Sequence, residues 1–192
     1  KSNVTIKGFV REAARVTPDT PLTEVGRAIM NARTNSAAVV DEDSTYLGGV
    51  LFSELFPILI SRRGTPGKVR GVMSHEPVTC APEDPIHRIY SLIIASGFIA
   101  FPVVQKGEPI GIISRRDLLR AGNIRMSVKN QADTTVDRVM TTPVITVTPD
   151  DPVATAARLM VDHDISILPV VNEKKKIVGI IDRHDVSSCL TP

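Results

Sequence analysis

Two short stretches hold the residue types best placed to do chemistry. The first is Gly111-Ile112-Ile113-Ser114-Arg115-Arg116-Asp117, and the second is Gly179-Ile180-Ile181-Asp182-Arg183-His184-Asp185. Each joins a glycine and two β-branched residues to a polar residue, two basic residues and an aspartate. A helix-like run follows each: Leu118-Leu119-Arg120, then Val186-Ser187-Ser188. This is the pattern of a buried strand ending at the N-terminus of a helix, where unpaired backbone N–H groups and the positive end of the helix dipole meet. A phosphate or a ribose fits such a junction. Ser-x-x-Asp before an apolar helix is also a capping-box variant, so Ser114 and Asp117 have a purely structural use as well. Asp182 and Asp185 read more simply as cap and solvated charge than as metal ligands. His75, His87, His163 and His184 share no spacing typical of a zinc site. Met30, Met73, Met140 and Met160 read as core fillers. The sequence has no G-x-S-x-G elbow, no Walker loop and no HExxH, and no enzyme is expected.

The elements that must position these residues recur. Sliding the chain against itself aligns Val72-Met73 with Val139-Met140, Thr79 with Thr146, Pro82 with Pro149 and Asp84-Pro85 with Asp151-Pro152. The same register brings Phe101-Pro102-Val103-Val104 onto Leu168-Pro169-Val170-Val171. One inserted residue later Gly111 meets Gly179 and Asp117 meets Asp185. A weaker repeat precedes these two. Val16-Thr17-Pro18-Asp19-Thr20-Pro21-Leu22 resembles Val147-Thr148-Pro149-Asp150-Asp151-Pro152-Val153, and Ala37-Ala38-Val39-Val40 follows. Gly48-Gly49-Val50-Leu51-Phe52-Ser53-Glu54-Leu55 then falls where the glycine-to-aspartate stretch belongs. Its strict alignment puts Phe52 in place of Ser114 and Leu55 in place of Asp117, so this repeat reads as structural. Internal repetition of this kind sets the fold.

Each repeat has one order of elements. A Thr-Pro-Asp or Pro-Glu-Asp turn caps a helix, whose apolar residues fall at three-to-four spacing, as in Val153, Ala156, Ala157, Met160 and Val161. A short strand (Ile167 to Val171), a charged turn, a second strand (Ile177 to Ile181) and a further helix complete the unit. The expected division is a degenerate repeat over 1–60, a linker over 61–71, a repeat over 72–121, a linker over 122–138 and a repeat over 139–192. Both linkers are polar and basic and read as exposed connections.

Composition agrees with an α/β fold. The chain has 192 residues, 42% hydrophobic but only 4% aromatic and without Trp, so the core must be aliphatic. The net charge of +2 argues against a dedicated nucleic-acid binder. No apolar run is long enough for a membrane span, and no signal peptide is visible. Cys80 and Cys189 stand far apart without CxxC partners, which points to a reducing, cytoplasmic setting.

This ordered set, Val72-Met73, Thr79, Pro82-Glu83-Asp84-Pro85, Phe101-Pro102-Val103-Val104 and Gly111 to Asp117, resembles the CBS domain, the small regulatory unit named after cystathionine β-synthase. The third repeat matches equally along its length. The resemblance implies tandem β-α-β-β-α units paired into a Bateman module, with clefts that bind AMP, ADP, ATP or S-adenosylmethionine. It implies that Ser114 and Asp117 serve ribose and phosphate, that Thr79, Phe101, Pro102 and Val103 line the base region, and that Arg115 and Arg116 assist with phosphates. The third repeat carries Thr146, Leu168, Pro169 and Asp185 at matching positions, but has Asp182 where a hydroxyl is usual. A carboxylate beside a phosphate is unfavourable, and Arg183 and His184 are the residues placed to compensate. That site is therefore expected to take a less negatively charged ligand or none. The resemblance further implies an energy-sensing role, with a homodimer or a regulated protein as partner. A ligand-free dimerisation scaffold is the alternative. A nucleic-acid surface made by Arg62-Arg63, Lys68, Arg70 and the run Arg120 to Lys129 is a weaker one.

Overall fold

The computed structural model describes residues 10–189 except 11, 33, 64, 97 and 126–133. They divide into two compact bodies, one ending at Gly64 and one beginning at Thr65.

The first body holds the first repeat. Strand β1 (Ala14–Val16) leads through helix α1 (Leu22–Asn31) into β2 (Ser36–Val40), β3 (Tyr46–Leu51) and α2 (Phe52–Arg63). β1 pairs parallel with β2, and β2 pairs antiparallel with β3. Val25 and Ile29, one helical turn apart, are buried on α1, and Phe52, Leu55, Phe56 and Leu59 are buried on α2. Gly26 lets the helices approach, since a Cβ there would stand 3.1 Å from Leu59 Cδ1.

The second body holds the other two repeats, each a helix, a hairpin and a helix. They are α3 (Ile86–Ser96), β4 (Ala100–Gln105), β5 (Glu108–Ser114) and α4 (Arg115–Arg125), then α5 (Val153–Asp162), β6 (Ile167–Val171), β7 (Ile177–Asp182) and α6 (Arg183–Ser188). Before each helix the chain touches its own hairpin in parallel, Cys80 beside Val103 and Val147 beside Val170. All three hairpins share one irregularity, a bulge at Val39–Val40, Val103–Val104 and Val170–Val171. The Pro-Glu-Asp and Thr-Pro-Asp stretches close turns before their helices rather than capping a first turn. Asp84 Oδ2 accepts the Ala81 N–H at 2.8 Å and Asp151 Oδ2 accepts the Thr148 N–H at 2.7 Å.

Parts of the linkers expected to be exposed connections cross between repeats as struts. Residues 68–74 lie along the third repeat: Val69 N–H donates to Asp151 O and Arg70 N–H to Pro149 O, both at 3.0 Å. Ser74 and Ile180 exchange two backbone bonds, of 2.9 and 3.0 Å. Residues 134–141 do the same to the second repeat. Val136 N–H donates to Asp84 O, Asp137 N–H to Pro82 O, and Thr141 and Ile112 exchange bonds of 2.8 and 3.1 Å. Val69 and Val136 are each 0% exposed. Val136 packs with Cys80, Ile89, Ile93, Phe101, Val103 and Ile113. Burying such a valine contributes about 2 kcal/mol, and the backbone bonds avoid orphaned polar groups. The polar composition of the linkers hid one apolar anchor in each. Arg62 and Arg63 belong to α2 rather than to a linker. Lys68 and Arg70 form ion pairs with Asp150 across the repeats. Part of the basic run Arg120 to Lys129 lies outside the described residues. At the opposite end the hairpin tips meet: Ile177 N–H donates to Gly107 O at 2.9 Å, and Lys176 Nζ binds Lys106 O and Glu108 Oε1.

Among the described residues no helix is long and apolar enough to cross a membrane, and no cluster of His, Cys, Asp and Glu suits a metal ion.

Candidate functional site

Strand β5 passes directly into α4, and the Ser114-to-Asp117 turn at that junction is a tight polar knot. The Ser114 N–H and hydroxyl both donate to Asp117 Oδ2, at 2.8 and 2.6 Å, and the Asp117 N–H returns to Ser114 Oγ at 3.3 Å. Thr141, on the crossing segment, donates its hydroxyl to Asp117 Oδ1 at 3.3 Å. Asp117 is only 7% exposed. The carboxylate thus joins the helix start of the second repeat to the strand arriving from the third. Sequence reasoning missed Thr141, although the repeat register that aligns Met73 with Met140 also aligns Ser74 with Thr141 and so pairs two hydroxyls.

The junction of β7 and α6 keeps the geometry with different chemistry. The Asp182 N–H donates to Asp185 Oδ2 at 2.9 Å and the Asp185 N–H donates to Asp182 Oδ1 at 2.8 Å, a reciprocal capping box. Burial first, and then the charge of Asp182, pushes the Asp185 carboxyl up to about 7. Among the described residues no hydroxyl donates to Asp185 as Thr141 does to Asp117. Arg183 binds the preceding loop. Its guanidinium turns back to the α5–β6 loop, donating to Ile165 O at 3.1 Å and Met160 O at 3.4 Å and pairing with Asp164 at 3.2 Å. Arg115 does likewise in the second repeat, its Nε donating to Phe98 O at 3.1 Å. Arg115, expected with Arg116 near phosphate, and Arg183, expected to compensate for Asp182, each brace a loop. Arg116 is exposed, 3.8 Å from Asp164, and His184 is half-buried on the first turn of α6.

Strand alternation sorts the remaining candidates. Phe101 and Val103, expected in a base pocket, point into the core, as their 1% and 0% exposures show, and Leu168 is equally enclosed. Pro102, paired with Ile112, lies on the opposite face together with Ala100 and Ser114. Thr79 precedes the buried Cys80 and is exposed, so the chain directs it to the side away from the core. The face opposite the core in this repeat is thus Thr79, Pro102, Ile112 and Ser114, with Asp117 and Thr141 at its end; Thr79 is exposed, Ile112 and Ser114 are half-buried and Pro102 is buried. Thr146, Pro169, Ile180 and Asp182 are the matching set, with Thr146 partly buried and Pro169 buried. Burial beside Asp84 pushes the Cys80 thiol up to about 12, so it is an inert core group.

The first repeat departs from its expected alignment by one residue. Gly48 faces Val39 as Gly111 faces Val103 and Gly179 faces Val170. Phe52 N–H donates to Asn35 O just as Arg115 does to Ile99 O and Arg183 to Ser166 O. Leu51 and Glu54, not Phe52 and Leu55, therefore stand where Ser114 and Asp117 stand. Glu54 does the capping work, accepting the Leu51 N–H on Oε2 at 3.2 Å, while Phe52 and Leu55 are core. The acidic residue is thus retained one methylene longer, while Leu51, Phe52 and Ser53 replace Ser114 and the two arginines, and Ala38 replaces Pro102. The doubled glycine at Gly48-Gly49 made the register ambiguous.

Comparison with known proteins places this geometry. The model of the CBS domain family matches residues 69–123 and 136–191. A solved structure of protein MJ1225 from Methanocaldococcus jannaschii, described as a putative archaeal homolog of g-AMPK, covers 93% of this chain and 67% of its own, with a TM-score of 0.82 at 20% identity. The CBS domain pair of protein MJ0100, solved with 5-methylthioadenosine and S-adenosyl-L-methionine, is 29% identical over 64% of this chain and 94% of its own, with a TM-score of 0.56. CBSX2, solved with AMP, covers 63% of this chain and 93% of its own at 22% identity and a TM-score of 0.56. Among curated relatives, a homoserine O-acetyltransferase of Methanococcoides burtonii is 32% identical over 124 residues, and the chain spans 24% of its length.

Proposed function

The chain belongs to the CBS domain family, and from that premise we propose that its second and third repeats form a regulatory module that binds adenosine-containing ligands and has no catalytic step of its own. The observation that carries this reading is the knot at Asp117. A carboxylate that accepts from Ser114 and from Thr141 of the crossing segment touches both repeats at once. Ribose hydroxyls that bond to it would replace or strengthen the Thr141 contact, and so bias how firmly the crossing segment is held. A ligand acts on a partner through such a difference between two states. The ligands bound by MJ0100 and CBSX2 define the class to test.

The two junctions favour different members of that class. Ser114 offers a hydroxyl at the start of α4, a setting that accepts a phosphate. Asp182 and Asp185 bring two carboxyl groups to the start of α6 with Arg183 held elsewhere, which favours a neutral or cationic adenosine compound. The experiment is thermal unfolding of the protein with AMP, ADP, ATP, S-adenosylmethionine and 5-methylthioadenosine. A ligand that binds only the folded state adds about 2.7 kcal/mol at a hundredfold excess over its dissociation constant. The near-isosteric Asp117→Asn is expected to remove the nucleotide-dependent rise while leaving the ligand-free transition within a few degrees. If none of the five compounds moves the transition, Ser114 and Asp117 are a helix cap only, and the scaffold reading takes its place.

A further inference from the structure

One carboxylate of the third repeat reaches the helix start of the second. Asp164 lies in the α5–β6 loop with φ at 48°, a left-handed conformation that glycine adopts more readily than aspartate. Its side chain stands between two arginines. Arg183 Nη2 pairs with Oδ1 at 3.2 Å from within the third repeat, and Arg116 Nη1 stands 3.8 Å from Oδ2. Arg183 is held in place, since it also donates to the Ile165 and Met160 carbonyls and its side chain is only 12% exposed. Arg116 comes from the other repeat and its side chain is 69% exposed. It sits on the first turn of α4, between Ser114 and Asp117 in the chain. The arrangement is one-sided. The Arg115 N–H donates to Ile99 O as the Arg183 N–H donates to Ser166 O, a register that puts Gly97 where Asp164 stands and His184 where Arg116 stands. The second repeat thus has no carboxylate at that position to offer in return.

We propose that Asp164 is a specificity-determining residue of the second-repeat junction, supplied by the third repeat. It holds Arg116 away from the start of α4, so a phosphate-bearing adenosine compound must draw Arg116 off Asp164, and a phosphate-free one need not. A guanidinium binds a phosphate through two parallel bonds, which outmatches one carboxylate oxygen at 3.8 Å. An exposed ion pair is weak, so the exchange sets a modest preference and not a block. Once phosphate has taken Arg116, Asp164 keeps Arg183 alone, and this contact between the repeats is gone. Occupancy of the second repeat thereby reaches the α5–β6 loop of the third. The inference rests on the adenosine-binding reading above.

Calorimetric titration of AMP and of adenosine tests it, into the parent, Asp164→Asn, Asp164→Glu, Arg116→Gln and the Arg116→Gln/Asp164→Asn double variant. Asp164→Asn is expected to strengthen AMP about two- to fivefold, the range an exposed ion pair allows, and to leave adenosine unchanged. Asp164→Glu keeps the charge and should restore the parent's ratio of AMP to adenosine affinity. Arg116→Gln should weaken AMP, and the double variant should match it, because Asp164 then has no guanidinium to withhold. Added salt should shrink the difference between the parent and Asp164→Asn. Any loosening of the loop around Arg183 falls on both ligands alike, so the ratio isolates Arg116. A ratio unmoved by Asp164→Asn, or moved equally in the Arg116→Gln background, overturns the inference and leaves the binding reading standing. Absence of AMP binding in every chain overturns it too, whereas the reading beneath it falls only when none of the five adenosine compounds shifts the thermal transition.

Discussion

At the scale of single residues, the two helix starts show how one substitution changes a site without changing its shape. Ser114 and Asp182 hold the same place and close the same reciprocal cap. Only Asp182 adds a charge beside its partner, and that charge, second to burial, raises the Asp185 carboxyl to about 7. A carboxyl raised on folding binds its proton more tightly in the folded state. Its stabilising contribution is therefore complete below the unfolded value near 4, and is lost as pH rises through about 7. The melting temperature should fall between pH 5 and pH 8. Asp182→Ser should flatten that fall, leaving a variant more stable than the parent at pH 8 and little changed near pH 4; thermal unfolding across pH reads this. An unaltered slope would mean that another group titrates. The same variant should admit phosphate-bearing ligands to the third repeat. The Asp182-x-x-Asp185 contrast was legible in the sequence because it needs only residue types and spacing. The direction of Arg183 was not, because an arginine beside a carboxylate looks like its partner until the structure shows it bonded to the Ile165 and Met160 carbonyls and to Asp164.

At the scale of elements, hairpins and helices followed from apolar spacing, and the strand at Ile167–Val171 falls where periodicity puts it. The crossing segments did not follow, since their bonds are made by backbone and leave no pattern in side-chain type. Gly111 and Gly179 were the visible trace: they were read as the start of a ligand motif, but they are also the floors on which the crossing strands rest. This dual use gives an ordered expectation. Gly179→Ala would set a Cβ 2.6 Å from the carbonyl oxygen of Ser74, a residue held by two backbone bonds to Ile180. Gly111→Ala meets first the flexible thioether of Met140, and the Thr141 carbonyl only at 3.1 Å. Both should lower stability, Gly179→Ala by about 3 kcal/mol and Gly111→Ala by about 1 kcal/mol, within the range for overpacking. Chemical denaturation of the two variants checks the order. Equal losses would show that the crossing strands yield alike.

At the scale of the molecule, the resemblance to the CBS domain implied that repeats pair, and the structure ties the second and third into one body. Val69 precedes the second repeat in the chain but donates its N–H to Asp151 in the third, and Val136 precedes the third but fills the core of the second. Neither repeat can then unfold without removing an anchor from the other. Loss of local packing in one should lower the stability of both, which is the condition for a single cooperative transition. Val69→Ala and Val136→Ala each remove two methyl groups from fully enclosed positions, at a cost of about 2 kcal/mol. Each should move one shared transition of residues 65–189 downward by about 8 °C, although the two sites lie in different repeats. Native-state hydrogen exchange gives the finer reading: Val136→Ala should lower protection in β4 and β5 and in β6 and β7 together. Two separable transitions in either variant, or loss confined to the hairpin on which the valine packs, would mean that the crossing segments only touch the repeats and do not couple them. A ligand at Asp117 would then have no route through Thr141 to the rest of the module.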